Sequence, residues 1–349
     1  MSTLGKTKSH ATIEQVALES GVSKQTVSRV INGRPDVAAA TRARVQETIA
    51  RLGYQPSAIA RALVQQRSHS LGIVGSGLEL YGPALTLVGI ERQANELGYS
   101  VLLTLLHNPE TDAIEPVLAD LQSRQVDGII WAVPEIGANY TWVQHHIPRT
   151  RVPVLFLTMQ STSRQPVVAV DNRAGGRLAT EHLLEQGCRH IALLSGPPNW
   201  VAADQRKLGW QDALARAGLV PEARQIVEGN WTPASGAAGL TRLLDQYPAM
   251  DALFAGNDQM ALGVLQAAAQ HRLRVPADLK VVGFDDIPEA AYLLPALTTV
   301  HQDTTEMGAL AVRALTGLIE ASPRPTTPLT FDPIWIQPRL VVRQSSLRE

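Results

Sequence analysis

The sequence predicts a small all-α head followed by an α/β body of two doubly wound, parallel-sheet subdomains. Three observations carry that expectation: a two-helix pattern at residues 12–33, a basic first fifth on an acidic remainder, and a β–α alternation from residue 69 onward. With 349 residues the chain can bury several cores. An apolar fraction of 45% is ordinary for a globular protein.

The head comes first. Thr12 and Gln15 have the spacing of a capping box, and Ile13, Val16 and Ala17 supply an apolar i, i+3, i+4 face. Gly21 permits a sharp turn, because a residue without Cβ tolerates positive φ. Ser23 then caps a second helix with Thr26 in its first turn. Val27, Val30 and Ile31 can face inward, which leaves Lys24, Gln25, Ser28 and Arg29 outside. That is the pattern of a helix-turn-helix, whose second helix enters the DNA major groove. Arg can bind guanine bidentately and Gln can do the same with adenine. A third helix follows at 39–52, with Val45, Ile49 and Leu52 on one face and Gly53 ending it.

Charge agrees. Residues 1–67 hold ten Lys/Arg against four Asp/Glu, a net +6, whereas the rest carries a net −7. A basic head on an acidic body suits a protein that binds phosphate backbones. Residues 54–65 (Tyr-Gln-Pro-Ser-Ala-Ile-Ala-Arg-Ala-Leu-Val-Gln) offer a short, Ala-rich helix from Ser57, marginal by itself and expected to order only against a partner.

From residue 69 short Val/Ile/Leu runs alternate with helical patterns. Strands are expected at 70–75, 100–106, 127–133, 152–157, 167–171, 190–195, 225–228, 252–255, 280–284 and 297–300. Such alternation implies parallel sheets with helices on both faces, and ligands then bind beyond the C-terminal strand ends. The domains are expected at 1–56 (head), 57–68 (hinge helix and linker) and 69–349 (body). The body divides into a first subdomain of about 69–168 plus 304–331 and a second of about 169–303 plus 332–343.

Enzyme signatures fail. Gly75-Ser-Gly77 follows a strand, but Leu80 stands where a dinucleotide fingerprint needs glycine. No P-loop, G-x-S-x-G or H-E-x-x-H occurs, and His145-His146 and Asp285-Asp286 lack further ligands at metal-binding spacing. The single cysteine, Cys188, fits a reducing compartment. The first 25 residues hold no apolar run of signal-peptide length, and no stretch approaches the ~20 apolar residues of a membrane span. A cytoplasmic, non-enzymatic protein without a cofactor is expected.

The chain resembles the lac repressor family of bacterial transcription regulators along nearly its whole length. Thr12–Gly33 follows the family's head pattern, and residues 54–63 follow its hinge helix. Gly196-Pro, Arg206-Lys-Leu-Gly-Trp210, Asn257–Gly263, Val282-Gly-Phe-Asp-Asp286 and Leu297–Asp303 follow its effector domain in order. The resemblance implies a helix-turn-helix head on a periplasmic-binding-protein-like core. It assigns base reading to Lys24, Gln25 and Arg29, and backbone positioning to Ser23, Thr26, Ser28 and Asn32. Thr12, Tyr54, Ser57 and Ala60 complete the expected DNA-facing set, with Leu63 as a minor-groove wedge. Arg206, Asn257 and Asp285 match effector-binding positions and Trp231 an aromatic stacking position. Tyr81, Glu135 and Trp200 fall on loops expected to rim the cleft. Thr158 and Val170 depart from the lac-type pattern, which has a carboxylate and an aromatic there, so Glu135 is the expected substitute for the carboxylate.

The implied function is a ligand-responsive repressor of a carbohydrate-utilisation operon. It would act as a homodimer on a near-palindromic duplex operator, released by a sugar or glycoside. A purine-type corepressor and a solute-binding protein without a DNA role are the alternatives. Nothing after Arg343 supplies leucine heptads, so a dimer rather than a tetramer is expected.

Overall fold

The computed structural model describes residues 11–55, 67–108, 114–134, 136, 150, 152–157, 165–321 and 332–347. Contacts divide the chain into two units, residues 1–68 and 69–349.

Among the described residues the first unit holds three helices, α1 (Ile13–Ser20), α2 (Lys24–Ile31) and α3 (Ala39–Leu52). The capping box forms, with Gln15 N–H donating to Thr12 Oγ1 at 3.3 Å and Thr12 N–H donating to Gln15 Oε1 at 2.9 Å. Ser23 Oγ accepts from Thr26 N–H at 3.1 Å and so starts α2. Gly21 and Gly53 close α1 and α3 at φ 67° and 61°, where a Cβ would be strained. Val16, Ala17, Val27, Val30 and Val45 form the core, and Tyr54 packs on its edge. Two buried hydroxyls return their protons to the helix backbone, Ser20 to Val16 O and Thr48 to Arg44 O. The core is thus free of unpaired hydroxyls at those points.

The second unit holds two six-stranded sheets. The first lobe is built from β1 (Ser70–Gly75), α4 (Tyr81–Glu96), β2 (Ser100–Leu105), α5 (Ile114–Ser123), β3 (Gly128–Ala132), β4 (Val154–Leu157) and β5 (Val167–Val170). The second comprises α6 (Asn172–Glu185), β6 (Ile191–Ser195), α7 (Val201–Arg216), β7 (Ile226–Glu228), α8 (Pro233–Gln246), β8 (Ala252–Ala255), α9 (Asp258–Gln270), β9 (Lys280–Asp285) and β10 (Thr298–His301). The chain then returns through α10 (Thr304–Ala321) and ends in β11 (Ile334–Ile336) and β12 (Arg339–Val341). Strand order is β11-β5-β4-β3-β1-β2 in one sheet and β12-β10-β9-β8-β6-β7 in the other. Among the described residues all pairings are parallel except β10 with β12.

Each sheet is covered on both faces, so its central strands are apolar on both sides, as parallel sheets require. In the first lobe α4 and α10 pack on one face and α5 on the other. In the second, α8 and α9 oppose α6 and α7. Paired helices approach closely at glycines. A Cβ on Gly176 would stand 2.2 Å from the Arg206 carbonyl oxygen, so this glycine lets α6 and α7 touch beside the cleft.

The ten strands read from the sequence are present, and the structure adds β11 and β12 together with helix α10. It also corrects the subdomain division. Residues 169–170 belong to β5 of the first sheet, and β11, expected in the second subdomain, pairs with β5 through Ile334–Val168 and Ile336–Val170. Only β12 joins the second sheet, against β10. Hydrogen-bonding edges decide this assignment, and the apolar pattern of 334–341 is equally compatible with either. Cys188 is buried, as a core residue.

Candidate functional site

On the head, α2 turns Val27 and Val30 inward and leaves Lys24, Gln25 and Arg29 exposed along its outer face. Ser28 lies at the margin, and Thr12 is exposed at the start of α1. Ser23 and Thr26 share a hydroxyl contact of 3.0 Å. Asn32 folds back on α2, its Nδ2 donating to Ser28 O at 2.9 Å, so it also closes the helix. Both long cations lean on acids of their own head: Lys24 bridges to Glu14, and Arg29 Nη1 lies 3.2 Å from Asp36 Oδ2. All four side chains are at least half exposed. Ser57, Ala60 and Leu63, with the rest of the expected hinge helix 57–64, lie outside the described residues.

In the body, Tyr81, Trp200, Arg206, Trp231, Asn257 and Asp285 line one cleft between the lobes. Glu135, Thr158 and His145-His146 lie outside the described residues, whereas Val170 lines the cleft.

Arg206 is the centre of the polar wall. It projects from α7 and is 7% exposed. Its Nε donates to Asn172 Oδ1 at 2.8 Å, its Nη1 donates to Gly256 O, and its guanidinium lies 3.6 Å above the Phe284 ring. Nη1 is also 3.9 Å from Asp285 Oδ1, and Gln302 Nε2 donates to that same oxygen at 2.6 Å. Burial pushes the Asp285 carboxyl up to about 7, against the opposing pull of the Arg206 charge. Burial likewise lowers Arg206 to about 10 despite the nearby Asp285. Desolvation therefore outweighs mutual attraction in this pair. Tyr81, across the cleft at the start of α4, has its phenol raised by burial first and then by Asp285.

Asn257 serves two ends. Its Oδ1 accepts from Met260 N–H at 2.9 Å and caps α9, while Nδ2 donates to the Trp231 carbonyl at 3.1 Å. Trp231 sits at φ 71° with its ring over Gly196, where a Cβ would stand 2.1 Å away. Trp200 meets it edge-on at 5.8 Å between centroids, and the buried Trp231 indole N–H has no hydrogen-bond partner. Two aromatic faces thus flank a set of oriented amides, one carboxyl and one guanidinium. This combination fits a neutral, hydroxylated ring: apolar C–H faces against the indoles, hydroxyls against the polar groups. The wall from the first lobe is largely apolar, with Leu78, Leu80, Pro83, Leu157 and Met307.

Sequence reading missed Asn172 and Gln302, which hold Arg206 and Asp285. Each follows the C-terminal end of a strand, β5 and β10, and that position was the available signal.

A helix-turn-helix head and a two-lobed body with a polar cleft define a ligand-responsive, DNA-binding transcriptional regulator. The family model for "Bacterial regulatory proteins, lacI family" matches residues 12–57, and that for a "Periplasmic binding protein-like domain" matches residues 180–346. The lactose operon repressor of Escherichia coli (strain K12) is 34% identical over 304 residues, 87% of this chain and 83% of that protein. The HTH-type transcriptional repressor PurR of Edwardsiella ictaluri (strain 93-146) is 33% identical over 337 residues, 96% of each chain. The crystal structure of the lac repressor dimer bound to operator and the anti-inducer ONPF superimposes with a TM-score of 0.86 at 32% identity, over 97% of this chain and all of that one. The chain belongs to the lac repressor family of bacterial transcriptional repressors. Among the described residues no helix is long and apolar enough to cross a membrane.

Proposed function

We propose that this protein represses a carbohydrate-utilisation operon in the cytoplasm, binding a near-palindromic operator as a homodimer and releasing it when a neutral sugar or glycoside fills the cleft. The observation that carries the ligand class is the composition of the cleft, in which Arg206, Asn257 and Asp285 stand beside the Trp200–Trp231 pair. Charge argues in the same direction. The Arg206 guanidinium is already matched by Asp285, with the carboxylate of Asp258 close enough to act on both, so a phosphorylated or carboxylated ligand gains no free cation among these groups. On the head, Lys24, Gln25 and Arg29 read bases, with Ser23, Thr26, Ser28 and Asn32 positioning the helix on the backbone.

A ligand shifts operator affinity only by its differential affinity for the two states of the protein, so the sugar must bind the weak-binding state more tightly. The test is a thermal-shift screen against glucose, galactose, ribose, cellobiose, their methyl glycosides, and hypoxanthine and guanine, followed by operator titration with each hit. The operator comes from selection on a random duplex pool. A stabilising sugar that weakens operator binding is expected. A purine that strengthens operator binding, with no response to sugars, overturns the reading.

A further inference from the structure

Asp285 and Asp286 sit at φ 123° and 56°, two successive non-glycine residues in a region that L-amino acids avoid. Such strain persists only where surrounding bonds over-determine the backbone. Arg343 Nη2 and His301 Nδ1 hold the Asp286 carboxyl at 2.7 and 3.0 Å, and the backbone bonds of the turn run to a second carboxylate. Asp258, in the first turn of α9, is wholly buried. Its Oδ2 accepts the Ile287 N–H at 2.9 Å, and its Oδ1 accepts the Thr299 hydroxyl at 2.6 Å. Thr299 Oγ1 in turn accepts the Asp286 N–H at 3.3 Å. The two amides that follow Asp285 are thus tied to α9 and to β10. Gly283 makes room for the tie, since a Cβ there would stand 2.1 Å from Asp258 Oδ1.

We propose that Asp258 and Thr299 are positioning residues of the effector site: a buried clamp that holds the Asp285–Asp286 turn in its strained form and so keeps the Asp285 carboxyl aimed at the cleft. Neither residue reaches the cleft itself; both act through the turn. With the clamp loosened, φ at Asp285 returns to negative values and its carboxyl leaves Gln302, now 2.6 Å away, and Arg206. The clamp therefore sets how well the cleft is organised before a ligand arrives, which is where binding affinity is gained or lost. The inference rests on the reading that Asp285 meets the effector, and goes beyond it by locating what fixes that residue.

The test compares full-length wild type with Thr299→Val, which keeps the side-chain shape and removes the hydroxyl, and Thr299→Ser, which keeps the hydroxyl. Three quantities are read: the unliganded crystal structure, affinity for the methyl glycosides of glucose, galactose and ribose by calorimetry, and operator affinity without sugar. The clamp predicts that Thr299→Val shows negative φ at Asp285 and loss of the Gln302 contact. It also predicts at least tenfold weaker glycoside binding, with operator affinity within twofold of wild type. Thr299→Ser should restore glycoside affinity to within threefold. Three results overturn the proposal: a Thr299→Val structure with Asp285 and Gln302 unmoved, a glycoside affinity that is unchanged while only the melting temperature falls, or loss of folding in Thr299→Ser as well. If no glycoside binds wild type, the sugar reading fails, and the two crystal structures alone decide for or against the clamp.

Discussion

The head and the cleft treat charge in opposite ways. On α2, Lys24 and Arg29 lie in water and hold Glu14 and Asp36 through pairs that are at least half exposed. In the body, Arg206 and Asp285 are buried, and the guanidinium is held in place by Asn172, Gly256 and Phe284. Exposed pairs are screened by salt and weak, so on the proposed DNA-reading face they can give way to phosphates and bases. A buried pair has lost its hydration already, so it presents fixed dipoles to a ligand without further ordering. A surface that must search long stretches of DNA needs exchangeable charge. A cleft that must choose one small molecule needs fixed charge.

That contrast can be broken by substitution, and the largest effect belongs to the buried side. Arg206→Met leaves Asn172 Oδ1 and the Gly256 carbonyl without their buried donor and drives Asp285 to its neutral form, and should destabilise the protein by about 1–3 kcal/mol for each acceptor left unpaired, read by urea unfolding. A melting curve like that of wild type would show the pair to be dispensable. On the exposed side, Arg29→Ala should cost about 1–3 kcal/mol at the selected operator and much less on random duplex. Equal loss on both would remove the base-reading role.

Protonation gives a third handle. Asp285 is held at about 7 and Asp258 at about 6, both above their value of 3.8 in an ordinary setting and both raised chiefly by burial. Between pH 4 and 7 the folded protein therefore keeps protons that the unfolded chain has released. Their contribution to stability is full at the acid end and falls as the pH rises. Asp285→Asn should flatten that dependence, measured by urea midpoints at pH 5, 6 and 7. The same variant should still bind operator but lose its response to the sugar, because an amide is a weaker acceptor than a carboxylate. An unchanged pH slope would place the titration elsewhere. The smallest effect is expected on the head, where Asp36→Asn should change stability by less than about 1 kcal/mol. It should also tighten binding to random duplex, since an acid near the backbone is gone.

What was legible in the sequence follows the range of the forces involved. The head was readable because its signals are local: Thr12 finds Gln15 three residues away, Ser23 finds Thr26, and Gly21 and Gly53 mark the turns where the chain reverses. That Arg206, Asn257, Asp285 and Trp231 share one cleft was readable through family register and strand ends. Gln302 and Asn172 were not, because their partners Asp285 and Arg206 lie 17 and 34 positions away and only the fold brings them together. The assignment of β11 failed for a similar reason: Ile334–Ile336 and Leu340–Val342 are both short apolar runs, and pairing with Val168 and Val170 decides between the sheets.

The two short strands β11 and β12 stand two residues apart, yet they complete opposite sheets. Ser345 then ties the second sheet shut, donating its hydroxyl to Val281 O and accepting from Thr298 N–H. During synthesis the first lobe lacks its last strand until residue 336 has been made and the second lacks its own until residue 341, so until then the nascent body waits with two open sheet edges. A premature stop before residue 334 therefore deprives both lobes together, and a protease that nicks the chain between β11 and β12 unties two domains with one cut.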